Sequence, residues 1–324
     1  MNENKNLHFK NVLSLCDGMS VGQLALKKAG ITYDNYFASE IDKSAIKVTQ
    51  HNFPNTIQLG DINNVFGKDL PEIDLVLGGV PCTSFSFAGK QLNFSDPRGK
   101  LVFEYVRLLE ECKPKYFLLE NVVMQKQFEN VISKLMGVIP EKIDSALVSA
   151  QTRKRLYWAN FPITQPKDRN IQLKDILEYD GNEYRPAALR GVMNKKTKSN
   201  VIVSDILNED EKKEQEIIKS PSVKTKSYVT HLVVRPIQKA YCLTTVDMSS
   251  VLTTMSPGSH PDAFGRKLPY RKYTLKELCR LQTVPDDYFD SVASLNQAKK
   301  MLGNGWNVDT IVHILEDLKN IAIK

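Results

Sequence analysis

Asn11-Val12-Leu13-Ser14-Leu15-Cys16-Asp17-Gly18-Met19-Ser20-Val21-Gly22-Gln23-Leu24-Ala25-Leu26-Lys27-Lys28-Ala29-Gly30 changes its periodicity twice within twenty residues. Asn11 to Leu15 has the length and apolar content of a buried strand, and Asp17 to Gly22 is a glycine-bearing turn. Gln23 to Ala29 carries helical spacing and is closed by Gly30. A strand, a glycine turn and a helix in that order open a parallel sheet, whose ligands bind at the carboxyl ends of the strands. Glycines in such a turn let the backbone approach a nucleotide-like ligand. The spacing is not Gly-x-Gly-x-x-Gly, so a dinucleotide site is disfavoured.

Outward from this unit, strands are expected at Tyr36 to Ser39, Thr56 to Leu59, Asp74 to Leu77 and Tyr116 to Leu119. Helices are expected at Ser44 to Asn52 and at Leu101 to Glu111, which stops before Pro114. A strand pattern returns at Ser145 to Asn160, and helical spacing resumes at Tyr273 to Leu281 and Val308 to Lys319. Between Pro166 and Tyr270 the chain is polar and lysine-dotted, with a mixed-charge run at Asn208 to Lys219 and a loop at Ser256 to Pro261. The expected architecture is an α/β domain of residues 1–165 and 271–324, with a smaller irregular domain at 166–270.

Composition narrows the function classes. A chain of 324 residues with 42% hydrophobic content can bury a core without disulfides or a metal. No apolar run approaches the ~20 residues that cross a bilayer, and polar Met1 to Lys10 lacks the form of a secretion signal, so a cytoplasmic protein is expected. Cys16, Cys82, Cys112, Cys242 and Cys279 include no Cys-x-x-Cys pair and no histidine at zinc spacing, which points to reduced thiols and no metal. The net charge of +7 is compatible with a polyanionic partner.

The chemistry-bearing residues cluster at strand ends. Glu40 closes the second strand, where a carboxylate can accept from both ribose hydroxyls, and Asp61 after the third could meet an adenine amino group. Turn and capping duties for Gly22 and Asp42 compete with that reading. Gly78-Gly79-Val80-Pro81-Cys82 follows the fourth strand and presents a thiol at the ligand crevice, against the alternative of a buried structural cysteine. Glu120-Asn121-Val122 follows the fifth, and desolvation there favours a protonated acid, against a plain salt-bridged glutamate. Gln151, Arg153 and Arg155 alternate along an extended segment and so share one face, suited to an anion or carbonyl or, equally, to a solvated edge.

Pro81-Cys82 with Phe85-Ser86, Glu120-Asn121-Val122, Gln151-Thr152-Arg153-Lys154-Arg155, Arg280-Leu281-Gln282 with Pro285-Asp286, and Gly303-Asn304 come in that order. Together they resemble the motif series of the cytosine-C5 DNA methyltransferases of phage and bacterial type. The resemblance spans nearly all of the chain except Pro166 to Tyr270. It implies an S-adenosylmethionine-dependent methyltransferase (Rossmann-like) sheet, with 166–270 as a target-recognition domain. It also implies a cofactor pocket of Leu15, Cys16, Asp17, Gly18, Gly22, Glu40, Ile41, Asp61 and Ile62, closed by Asn304. Cys82 would be the nucleophile, Glu120 the acid, and Arg155 with Arg153 the holders of a flipped cytosine. Ser84 to Lys100 would close over duplex DNA, with Ser84, Phe85, Ser86, Gln91 and Arg98 as contacts, and the enzyme would act as a monomer. Cys16 stands where the family commonly carries phenylalanine, and Asp17-Gly18 resembles the variant of animal de novo methyltransferases. A tRNA-modifying branch and a catalytically inactive DNA-binding relative are the competing readings.

Overall fold

The structure, a computed structural model, describes residues 7–80, 100–178, 184–195, 228–235, 239–240, 242–243, 250–261, 267–290 and 293–323. Among them, β1 (His8–Leu15), β2 (Thr32–Ser39), β3 (Ile57–Gln58), β4 (Leu75–Gly78), β5 (Tyr116–Val122), β6 (Glu141–Asp144) and β7 (Lys154–Ala159) form one sheet in the order β3-β2-β1-β4-β5-β7-β6. β1 to β5 run parallel, and β7 runs antiparallel to β5 and β6. Parallel strands are covered on both sides, which is why β1 is buried at every residue from Asn11 to Leu15 rather than at alternate ones.

Two apolar layers sit on the two faces of this sheet. Val12, Leu75, Leu77 and Leu118 pack on one side with α1 (Val21–Lys28), α2 (Lys43–Asn52) and the C-terminal helices α5 (Leu275–Leu281), α6 (Leu295–Asn304) and α7 (Val308–Ala322). Leu13, Leu15, Val76 and Leu119 pack on the other with α3 (Leu101–Cys112) and α4 (Lys126–Met136). Asp42 caps α2 by accepting from Ser44 N at 2.9 Å, and capping boxes open α5 at Thr274/Glu277 and α6 at Ser294/Gln297.

Three local expectations are corrected. Ser145 to Asn160 is not one strand, because a 3-10 turn at Ser145–Leu147 interrupts it and β7 begins only at Lys154. Asp144 caps that turn by accepting from Ala146 N at 3.0 Å. Helices α4 and α6, unassigned from sequence, bury only short stripes, such as Phe128, Ile132 and Met136. Within 166–270 and just beyond, β8 (Tyr184–Lys195), β9 (Tyr228–Arg235), β10 (Ser250–Pro261) and β11 (Lys267–Lys272) pair antiparallel in the order β11-β10-β8-β9. Register shifts along β10 disturb the two-residue period that a sequence pattern needs.

The order of the sheet places the site. The order in which strands are added reverses between the parallel neighbours β1 and β4, whose last residues, Leu15 and Gly78, are paired. Gly79 N then donates to Leu15 O at 3.4 Å, and beyond this contact the loops after β1 and β4 lie side by side. Such a switch point leaves a crevice at the carboxyl edge of a parallel sheet.

Candidate active site

The turn after β1 is tied to the end of β2. Asp17 N donates to Ser39 O at 3.0 Å, and Gly18 N to Glu40 Oε2 at 2.8 Å. Glu40 Oε1 accepts from Ile41 N and Asp42 N, both at 2.8 Å. Cys16, Gly18 and Ser20 all take left-handed φ values, so this loop is sharply folded. Gly18 and Gly60 both face open space, and Ile41 stands 71% exposed beside them. Asp61 caps the turn at Ile62–Asn64, accepting from Asn63 N at 2.9 Å, while the Ile62 side chain is buried. Burial, then the charges of Glu40, Asp61 and Asp17, push the Cys16 thiol up to about 12. The three carboxylates, second to burial in this shift, set a negative field in the crevice.

Asp17 lies behind the loop. Tyr36 Oη donates to its Oδ1 at 2.9 Å, while Oδ2 is buried without a hydrogen-bond partner. Burial raises this carboxyl to about 6, with the hydroxyls of Ser14, Ser20 and Tyr36 working against the rise and Glu40 adding to it. Gly22 packs on the same tyrosine, where a Cβ would fall 2.6 Å from Tyr36 Oη, so its role here is close helix–sheet packing. From the C-terminal side, Tyr288 Oη donates to Met19 O at 2.6 Å, and Gly305 abuts Met19. Asn304, next in chain to Gly305, is exposed at this edge.

Glu120 lies two residues before the end of β5, on the face shared with α7, and is 8% exposed. In the register β5/β7 it opposes Tyr157, and Arg155 opposes Val122, so Glu120 and Arg155 are diagonal neighbours on one face. Arg155 Nε reaches Glu120 Oε1 at 3.0 Å, and Trp306 Nε1 donates to Oε2 at 3.1 Å. The carboxylate is therefore gripped by a guanidinium and an indole. β4, the next strand, runs to Gly78 and leads to Val80, directly before Pro81-Cys82.

Residues 10–320 match the model of the C-5 cytosine-specific DNA methylases. The chain belongs to that family. It is 38% identical over 184 residues to the orphan methyltransferase M.SPRI of Bacillus phage SPR, covering 52% of this chain and 42% of that protein. It is 31% identical over 311 residues to the Type II methyltransferase M1.ScrFI of Lactococcus lactis subsp. cremoris, covering 89% and 72% respectively. The chain spans less than half the length of the first curated relatives it matches. In fold it is similar to the methyltransferase EhMeth of Entamoeba histolytica, with a TM-score of 0.65 at 14% identity over 98% of this chain and 99% of that one.

Within this chain, the two arginines part company. Arg153 is 2% exposed and turns its guanidinium inward, donating to Gly305 O at 2.8 Å and to Gly303 O and Leu243 O at 3.2 Å. It ties the C-terminal segment to β7, while the ion pair with Glu120 is made by Arg155. Gln151 shares that duty, donating to Leu281 O at 3.0 Å and accepting from Leu243 N at 2.7 Å. Ala240 forms a bridge with Gln151, and Cys242 Sγ lies within 3.2 Å of Arg153 Nη1 and 3.8 Å of Arg155 Nη2. Burial pushes the Cys242 thiol up, but the two guanidiniums outweigh it and hold it below the usual thiol range. Cys242 and Trp306 are absent from the sequence-based site, because nothing in their neighbours in chain marks them. Cys82, Ser84, Phe85, Ser86, Gln91 and Arg98 lie outside the described residues.

Proposed function

We propose that this chain transfers a methyl group from S-adenosylmethionine to carbon-5 of a cytosine in duplex DNA through a covalent Cys82 adduct. The observation that carries the reading is the pairing of Glu120 with Arg155 at the end of β5, beside the strand that leads into Pro81-Cys82. The cofactor supplies an electrophilic methyl group. The residues at the β1 edge fit it. The open glycine faces at Gly18 and Gly60 leave room, Ile41 offers an apolar surface, and the negative field that raises Cys16 suits a cationic sulfonium.

Carbon-5 of cytosine is a poor nucleophile in an intact ring. Addition of the Cys82 thiolate at carbon-6 breaks the 5,6 double bond and moves electron density to carbon-5. Glu120 hydrogen-bonds ring N3 as an acid, and Arg155 offsets negative charge gathering on the ring. Once carbon-5 is methylated, loss of its proton restores the double bond and expels Cys82. The base must leave the stack to reach the thiol, at a cost of a few kcal/mol. Residues 166–270 serve as the target-recognition domain, and the monomer acts on one site at a time.

Transfer of labelled methyl groups to duplex DNA and to tRNA, measured in parallel, tests the reading. DNA labelling that disappears in Cys82→Ala, with DNA and cofactor binding retained, is the expected result. Labelling of tRNA alone, or full turnover by Cys82→Ala, would overturn it.

A further inference from the structure

Glu120 lies between two donors from distant parts of the chain. Arg155, on the neighbouring strand, holds Oε1, and Trp306, just before α7, holds Oε2. The indole is 9% exposed and lies against the end of β4. A Cβ at Gly79 would fall 2.5 Å from Trp306 Nε1 and 3.0 Å from Cε2, so only glycine admits the ring here. The backbone on either side of the ring is pinned. Gly305 O accepts from Arg153 Nη2 at 2.8 Å, and Asn307 caps α7 by accepting from Thr310 N at 3.1 Å while its Nδ2 donates to Leu281 O at 3.2 Å.

One donor fixes one oxygen of a carboxyl group and leaves its plane free to turn about the last side-chain bond. Two donors on opposite oxygens fix the plane. We infer that Trp306 is a positioning residue for Glu120, setting with Arg155 the plane in which the acid meets the pyrimidine. This rests on the reading of Glu120 as the acid that faces the base. It makes the orientation of the acid depend on the C-terminal segment that Arg153 anchors, three residues in chain from Gly303.

The chain holds two tryptophans, and Trp158 donates instead to Ser133 Oγ at 3.0 Å. An indole ¹H–¹⁵N spectrum of the 324-residue chain therefore gives one cross-peak for each, and Trp306→Phe assigns them. Glu120→Gln is expected to move the Trp306 peak and leave that of Trp158 in place. In single-turnover methylation of duplex DNA, Trp306→Phe is expected to lower the rate by about ten- to hundred-fold, the loss typical of a charge-assisted hydrogen bond. KM for DNA and cofactor should hold within about threefold, since only an interaction with the acid is removed. Trp306→His, which keeps a ring N–H, should recover part of the rate. A wild-type rate in Trp306→Phe, or a Trp306 peak unmoved by Glu120→Gln, overturns the inference. If Trp306→Phe does not fold, a second spectrum with Trp158→Phe assigns the peaks, and the response to Glu120→Gln decides. A wild-type protein that labels no DNA overturns the functional reading itself, whereas an active enzyme indifferent to Trp306→Phe overturns only this inference.

Discussion

Asp17→Asn should change how stability depends on pH, by an amount that follows from the burial of one carboxyl group. In the folded protein this group sits at about 6 rather than 3.8, because burial disfavours its charge more than the surrounding hydroxyls favour it. A raised folded-state value stabilises the fold fully below the unfolded value and loses that contribution as pH rises through about 6. Roughly two units at ~1.36 kcal/mol each amount to about 3 kcal/mol over the whole titration. Linkage places roughly 2 kcal/mol of that between pH 4.5 and 8, with the rest below. Asparagine keeps an oxygen for Tyr36 Oη and carries no charge at any pH. Urea unfolding of both proteins from pH 4.5 to 8 measures the difference directly, provided the m-values agree. The variant should gain on the wild type by roughly 2 kcal/mol across that window. Parallel stability curves would refute the reasoning, and so would a gain that grows toward acid.

Three further outcomes can be checked in the same protein. Arg153→Ala, which takes a charged donor from Cys242 and from three backbone carbonyl groups, should cost about 3–5 kcal/mol in denaturant unfolding; a loss under about 1 kcal/mol would return Arg153 to the surface of the site. Glu40→Ala removes the anchor of Gly18 and should weaken cofactor binding by about ten- to hundred-fold in a direct titration, with single-turnover chemistry at saturating cofactor little changed. An unaltered dissociation constant would argue against Glu40 as a cofactor residue. Gly22→Ala puts a methyl group 2.6 Å from Tyr36 Oη. It should destabilise by about 1–3 kcal/mol and enlarge the pH effect of Asp17→Asn, because displacing the hydroxyl removes one of the bonds that work against the rise of the Asp17 carboxyl.

What was legible in the sequence was what is local in the chain. The switch from a two-sided apolar strand at β1 to a glycine turn and a helix needs only neighbouring residues, and it fixes both the parallel sheet and the edge where ligands bind. Strand ends could therefore be read as the places for Glu40 and Gly79, which directly follow β2 and β4, whereas Glu120 lies within β5, two residues before its end. Short helices with three buried positions were not legible, nor was the 3-10 turn before β7, because one capping aspartate looks like any other.

Sequence by itself determined the sheet, the order of its motifs and the crevice, since periodicity and turn chemistry act over a few residues. Only the tertiary structure decided which arginine meets Glu120. Arg153 and Arg155 carry the same charge on the same face, and their fates differ through carbonyl groups near residues 243 and 303. It alone also brought Trp306 to an acid 186 positions earlier and Cys242 to an arginine 87 positions earlier. Contacts across such separations are set by how the layers pack, and no local pattern encodes them.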